Sequence, residues 1–517
     1  MKNKIKILIV LFAVIIFAAC DSLITDIPES QLTQVGFFTT PIRINEGIMG
    51  CYEGMANITN DEWKFTEDRS DNTCVSNVST GSGDRYDYCD LKFFRTSPSM
   101  PLLYSYWYKY FQNISAINAI LPSVAPGQPY ITVESQRAQY EGELLFMRAF
   151  HYYDLVNLWG DMFKITTVIG PIEAMTVPRS PVSEIYNEII IPDLVKAATE
   201  LPSTYSVSDK GRITKWAAKA LLAKAYMMIG GDANLTLAKG LLEEVMAEPS
   251  IGLLTDKGSS ASAYANIFNV SNEMNKEIIF AIRYLGGASG IGSPFWSTFA
   301  PDGSANLFLK IGTPAGNNNP TPDIMNLFKQ DPADTRTDAC FRIWSRSATA
   351  TYQYISKYID PNMTQAGQAE NDWPVIRYAD VVLLHAEIAA QQNDYTTALN
   401  NVNLIRSRAG VRPYIKFESK AEALDSVYQE RRLELAFENQ RWFDLLRMDK
   451  AYGVTDKAIS ILKTSIFVTD WANLYSKFSP ITPPDQRFFL TIRMLLPIPQ
   501  QEIDTNNQMV IPQNATY

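Results

Sequence analysis

Apolar positions recur at helical spacing along most of this chain, and several stretches carry their own start and stop signals. Between Asp394 and Gly410, Ala398, Val402, Ile405 and Ala409 fall on one face. Asp394 can cap the first turn and Gly410 can take the left-handed backbone that ends it. The preceding stretch, Val375 to Gln392, has the same period, and so short a connection predicts an αα-hairpin. Ile213 to Ile229 is apolar on nearly every face, which predicts a helix covered on more than one side. Its expected partner runs from Glu184 to Leu201, and a third pair is expected from Tyr104–Leu121 and Glu134–Leu158.

Helix pairs recurring in this way predict a mainly α fold, a tetratricopeptide-like helical-repeat scaffold with few short strands. Two regions interrupt it. From Asp61 to Pro101, and from about Ser250 to Trp373, the sequence turns to Gly, Ser, Asn and Pro with short aromatic runs. Long insertions of that kind carry binding surface more often than scaffold.

Composition narrows the class. Of 517 residues 46% are apolar and 12% aromatic, as in a packed protein large enough for two regions. A formal charge of −9 argues against nucleic acid as a partner. Two histidines, His151 and His385, each within an apolar helical pattern, leave little for a metal centre and read as packing residues. Trp107, Trp159, Trp216 and Trp442 lie in helical motifs and read as core. The charged run from Glu430 to Arg447 sets Arg431, Glu434, Glu438, Arg441, Asp444 and Arg447 three or four apart. Carboxylates alternating with arginines are held ionised, so an ion network between helices is expected there rather than a catalytic Glu434–Glu438 pair.

The first 19 residues have the layout of a signal peptide: Lys2, Lys4 and Lys6, then an apolar run from Ile7 to Ala19, too short to span a bilayer. Phe17-Ala18-Ala19-Cys20 resembles a bacterial lipoprotein processing site, with Phe17 where leucine is usual. Lipidation of Cys20 would anchor the protein without a spanning helix. Residues 20–34 read as a tether, 35–249 as an N-terminal region, and 250–517 as a C-terminal region containing the insertion 250–373. Cys51, Cys74, Cys89 and Cys340 remain, and Cys74 with Cys89 would close a short loop if oxidised; four unpaired thiols are the alternative.

Five segments in order, RAFHYYDLVNLWGD (148–161), GRITKWAAKALLAKAY (211–226), IRYADVVLLHAE (376–387), QERRLELAFENQRWFDLLR (429–447) and LLPIPQQEID (495–504) with the terminal QNATY, resemble the SusD/RagB family of outer-membrane lipoproteins from Bacteroidetes. Ala515 and Thr516 depart from the family's usual terminal Pro-Gly. The resemblance implies a cell-surface, non-enzymatic protein that captures nutrient, most often glycan, for a SusC-like TonB-dependent transporter. A peptide-binding RagB-like member and a helical-repeat adaptor that only contacts the transporter are the alternatives, and a glycoside hydrolase is disfavoured.

Carbohydrate recognition needs flat apolar faces beside planar polar groups. The two insertions supply both, and the ligand-binding candidates are Trp63, Asp71, Arg85, Tyr86, Phe295, Trp296 and Asn317. No catalytic residue and no cofactor is expected. Calcium is the one ion for which oxygen donors stand close in sequence, at Asp84, Asp87 and Asp90 or at Asp331, Asp334 and Asp338, although neither set has EF-hand spacing.

Overall fold

A computed structural model of the chain describes residues 37–74, 83–288, 290–347, 350–465, 492–515 and 517, with backbone alone for 83–86, 305 and 350. The leader, Cys20 and the tether lie outside the described residues. The molecule is about 54% helical with few short strands.

The long helices are α1 (Pro41–Phe65), α2 (Pro101–Ile120), α3 (Glu134–Trp159), α4 (Ile191–Glu200), α5 (Lys215–Ile229) and α6 (Asp232–Met246). After the insertion come α7 (Tyr378–Gln391), α8 (Tyr395–Ala409), α9 (Lys420–Glu434), α10 (Arg441–Tyr452) and α11 (Lys457–Thr464). Neighbours in this order pack as pairs, α3 with α4, α5 with α6 and α7 with α8, and α6 packs on α7, so that the stack continues across the insertion. In α8 the buried residues are Ala398, Val402, Ile405 and Ala409, the face expected from spacing, and Asp394 accepts from the Thr397 amide at 3.1 Å. Gly410 ends it in left-handed backbone. Helix α5 buries eleven of its fifteen residues, Lys224 among them, as a helix inside a stack must.

Two expectations change. Val375–Arg377 is not helical: Trp373–Arg377 forms strand β4, antiparallel to β1 (Ile278–Ile282), and α7 begins only at Tyr378. Asp61–Pro101 is not all loop, because α1 runs to Phe65 and a further helix spans Gly83–Lys92. α1 packs on α2, so the first helix pair precedes the one expected.

The charged run in α9 and α10 builds three buried networks, each electrically neutral. In the largest, Arg336, Lys357, Arg377, Arg406 and Arg408 meet Glu277, Asp334, Glu430, Glu434 and Glu438. A second joins Lys224, Arg431 and Arg447 to Asp380, Glu387 and Asp444. The third joins Arg432 and Arg441 to Asp71 and Asp323. Five cations against five anions, three against three, and two against two leave no buried surplus charge, the condition under which such groups can be taken out of water. Arg408 beside Glu434 and Lys224 beside Asp380 help hold both carboxyls at about 2 despite burial, so Glu434 is not a proton donor.

The insertion is fastened to this scaffold by β1 and β4 and carries a hairpin, β2 (Phe341–Ser347) with β3 (Ala350–Ile355). Its short helix Phe295–Phe299 divides two packed regions. Phe295 and Phe299 face the main core, whereas Trp296 and Ala300 join Leu309, Tyr354, Met363 and Ala369 in a satellite core of their own.

Candidate functional site

Most of the residues singled out as binding candidates lie inside the protein. Trp63, in the last turn of α1, is 1% exposed, edge-on to Tyr88 and Phe299. Phe295 is fully buried with its ring 4.3 Å from that of Trp373, and Trp296 is 2% exposed in the satellite core. A sugar ring stacks on an accessible aromatic face, and none of these three offers one. Asp71 is buried and accepts two bonds from Arg441 at 2.7 and 2.9 Å, with Arg432 at 3.2 Å. The two guanidiniums hold its carboxyl well below the usual range. Asn317 is half-buried, its backbone amide donating to the Thr298 carbonyl. The side chains of Arg85 and Tyr86 lie outside the described residues.

The donors considered for calcium are spread among other partners. Asp334 is bound to Arg336, Asp90 to Arg95, and Asp331 accepts the amides of Ala333 and Arg412. Among the described residues no three His, Cys, Asp or Glu side chains form a group that could hold a metal. His151 is buried against Asn113 and pushed down to about 3 by burial, and His385 bonds Asn401 and Glu243. Among the described residues Cys51, Cys74, Cys89 and Cys340 are buried and form no disulfide, and burial raises Cys51 and Cys89 to about 12. None is poised as a nucleophile.

What the insertion does present is the β2–β3 hairpin. Register places Trp344 directly opposite Tyr352, and their half-buried rings stack at 5.4 Å with planes 30° apart. Phe308 meets Trp344 edge-on at 5.7 Å and also touches Tyr354, which is rooted in the satellite core. The hairpin aromatics are thus supported from beneath while the strand above is open: Ile343, Ser345, Arg346 and Ser347 are exposed. Beside Trp344 runs an open groove of about 470 Å³, walled by Gly303, Ser304, Asn306 and Leu307 on one side and by Trp344, Ser345 and Arg346 on the other. Leu307 is 75% exposed at its lip. A second cleft of about 210 Å³ lies beyond Met363, between the Gly286–Gly287 turn and Asp360, Asn362, Thr364, Gln368 and Glu370. An aromatic floor flanked by amide, hydroxyl and guanidinium groups can hold a polyhydroxylated ring by stacking and by side-chain hydrogen bonds.

Part of this surface was legible as a pattern. In Ala350-Thr-Tyr-Gln-Tyr-Ile355 the aromatics Tyr352 and Tyr354 alternate with polar Thr351 and Gln353 at period two, which is a strand signal.

A stack of helix pairs holding out a groove beside Trp344, on an insertion with a satellite core, defines a helical-repeat binding protein. Comparison with known proteins agrees. A family model described as the SusD family matches residues 343–517, and one described as "Starch-binding associating with outer membrane" matches residues 27–227. A SusD-like protein of Bacteroides ovatus is 23% identical over 477 residues, 86% of this chain and 82% of its own. A solved structure titled as a laminarin binding SusD-like protein superposes with a TM-score of 0.72 at 24% identity, over 93% of this chain and 100% of that one. Surface glycan-binding protein A from Bacteroides thetaiotaomicron, solved in complex with laminarihexaose, gives 0.71 at 20% identity, over 92% and 100%. The chain belongs to the SusD/RagB family.

Proposed function

We propose that this protein captures oligosaccharide at the cell surface and passes it to a SusC-like TonB-dependent transporter, held at the outer membrane by lipid on Cys20. The family is one of carbohydrate-binding proteins, not enzymes. Two structures of the same fold bind laminarin or laminarihexaose, which supports a glycan ligand here. The observation that carries the reading is the Trp344–Tyr352 stack beside an open groove, because so large an aromatic pair left half-exposed on a well-packed protein marks a binding face. Outer-membrane association agrees with the family description, and no described helix is long and apolar enough to cross a membrane.

Affinity electrophoresis tests the reading. Wild-type protein is expected to be retarded in gels containing its polysaccharide, and Trp344→Ala to migrate as in the blank gel with an unchanged circular dichroism spectrum. Retardation unaffected by Trp344→Ala would move the site elsewhere, and binding only to a transporter would favour the adaptor. Cys20→Ala is expected to shift the protein from the outer-membrane fraction to the soluble fraction.

A further inference from the structure

The hairpin register identifies one residue as out of line. From Phe341↔Ile355 to Ser345↔Thr351 the pairing is regular, and the next pair is Ser347↔Ala350. Arg346 is therefore the extra residue of a β-bulge, opposite nothing on β3. Bulges turn a side chain off the alternation of the strand. Here Trp344, Ser345 and Arg346, three consecutive residues that strict alternation would divide between the two faces of the strand, all line the groove. Its guanidinium lies over Gly303: a Cβ there would sit 2.9 Å from Arg346 Nη1. Gly303 also holds a positive φ of 73°, a backbone that favours glycine.

Arg346 is also unusual in its electrostatics. Most buried arginines are paired with carboxylates, Arg69 being held by carbonyls instead, and among the described residues no carboxylate pairs with the exposed Arg346. Asp302, its nearest acid in sequence along the opposite wall, has a partner and does not line the groove. On the opposite wall Ser304, 1% exposed, has a hydroxyl with no hydrogen-bond partner. A cation without an anion and a buried donor without an acceptor thus line the same groove, with a stacking ring beside the cation. An arginine fork and a hydroxyl together suit a planar or tetrahedral oxyanion.

We infer that the groove takes saccharides bearing an anionic group, with the sugar ring on Trp344, the carboxylate or sulfate oxygens on the Arg346 guanidinium, and Ser304 Oγ donating to the same group. This rests on the glycan-capture reading and specifies its ligand class. A uronate carboxylate and a sulfate ester share this chemistry. The protein's charge of −9 repels polyanions in general, so retention of one requires a local cationic contact.

The test uses purified protein in affinity gels made with matched polymers: dextran against dextran sulfate, and polygalacturonate against its methyl ester. Retardation by at least one charged member, absent with its neutral match and weakened by added salt, is expected. Dextran sulfate alone identifies sulfate and polygalacturonate alone identifies uronate. Arg346→Gln is expected to lose about tenfold in affinity for the charged polymer, the scale of one charge-assisted hydrogen-bonded contact. Lys257→Gln, which removes an exposed charge elsewhere, is expected to lose nothing. Equal retardation by charged and neutral polymers, or Arg346→Gln binding the charged polymer like wild type, overturns the inference while leaving glycan capture standing. Retention of neutral laminarin alone, abolished by Trp344→Ala, does the same. Failure of every polymer to be retained sinks both readings.

Discussion

Replacing Arg377 by methionine tests how the insertion is held to the helical stack. Arg377 donates to Glu438 at 2.6 and 2.9 Å, to Glu277 at 2.7 Å, to Glu434 at 3.0 Å and to the Glu434 carbonyl at 2.8 Å, all buried. Methionine fills much of the volume but leaves four cations against five carboxylates. Breaking a buried ion network by removing one partner costs about 3–5 kcal/mol. For a chain of this length the unfolding entropy is roughly 1 kcal/mol per kelvin, so one cooperative transition should fall by only about 3–5 °C. Were the insertion of some 120 residues to melt by itself, the same cost spread over its smaller entropy would lower its own midpoint by about 10–20 °C. Differential scanning calorimetry separates the two. The network ties Asp334, Arg336 and Lys357 of the insertion directly to α9 and to Glu438 beyond it, so a single transition lowered by a few degrees is expected. Adding Glu438→Gln restores four against four and should recover about 1–3 kcal/mol of the loss. An unchanged or raised midpoint in Arg377→Met, or no recovery in the double variant, would refute the view that charge balance maintains this junction.

Other expectations follow from burial and titration. Burial raises the Glu67 carboxyl from 4.5 to about 7, so the folded state binds its proton more tightly than the unfolded chain does, and stability falls as pH rises from about 4.5 through 7. Glu67→Gln should therefore raise the melting temperature at pH 8, by up to about 3 kcal/mol of stability, and do little at pH 5; equal effects at both would contradict it. Glu434 and Asp380, held at about 2, act in the opposite sense, and urea titrations should show stability falling as pH drops below about 4. Trp296→Ala should cost about 3–5 kcal/mol through the satellite core, read as a lower melting temperature even without ligand. Asp394→Ala should cost about 1 kcal/mol through its lost cap on α8.

How much of this was legible depends on whether period or partner decides the element. α8 and α5 followed from spacing and caps alone, because their buried faces are long and continuous. α1 escaped notice because Gly47, Gly50 and Gly54 lower its helix propensity, and only packing on α2 compensates. Val375 to Arg377 read as helix because apolar residues buried on both faces of a strand carry no distinguishing period, and pairing with β1 settled the matter. The ion networks were visible as charge spacing in Glu430–Arg447, although their partners Arg336, Lys357 and Glu277 come from distant sequence. The binding candidates went astray for a related reason. Trp63, Phe295 and Trp296 lie in polar, loop-like sequence, yet aromatic residues in such segments are what a loop buries to hold itself in place. Trp344 and Tyr352 reach the surface because the hairpin's alternation sends them to a face that Phe308 and Tyr354 support without covering.

The short helix Phe295–Phe299 has a bearing on ancestry as well as on stability. One side belongs to the body of the molecule and the other to a nucleus that the insertion owns. Substitutions on the outer side can therefore accumulate without being transmitted to the helical stack. A lineage meeting a new polysaccharide could exchange the satellite core and the hairpin tip it supports as a cassette while keeping Asp334, Arg336 and Lys357, and a laboratory graft between distant relatives should be cut along the same seam.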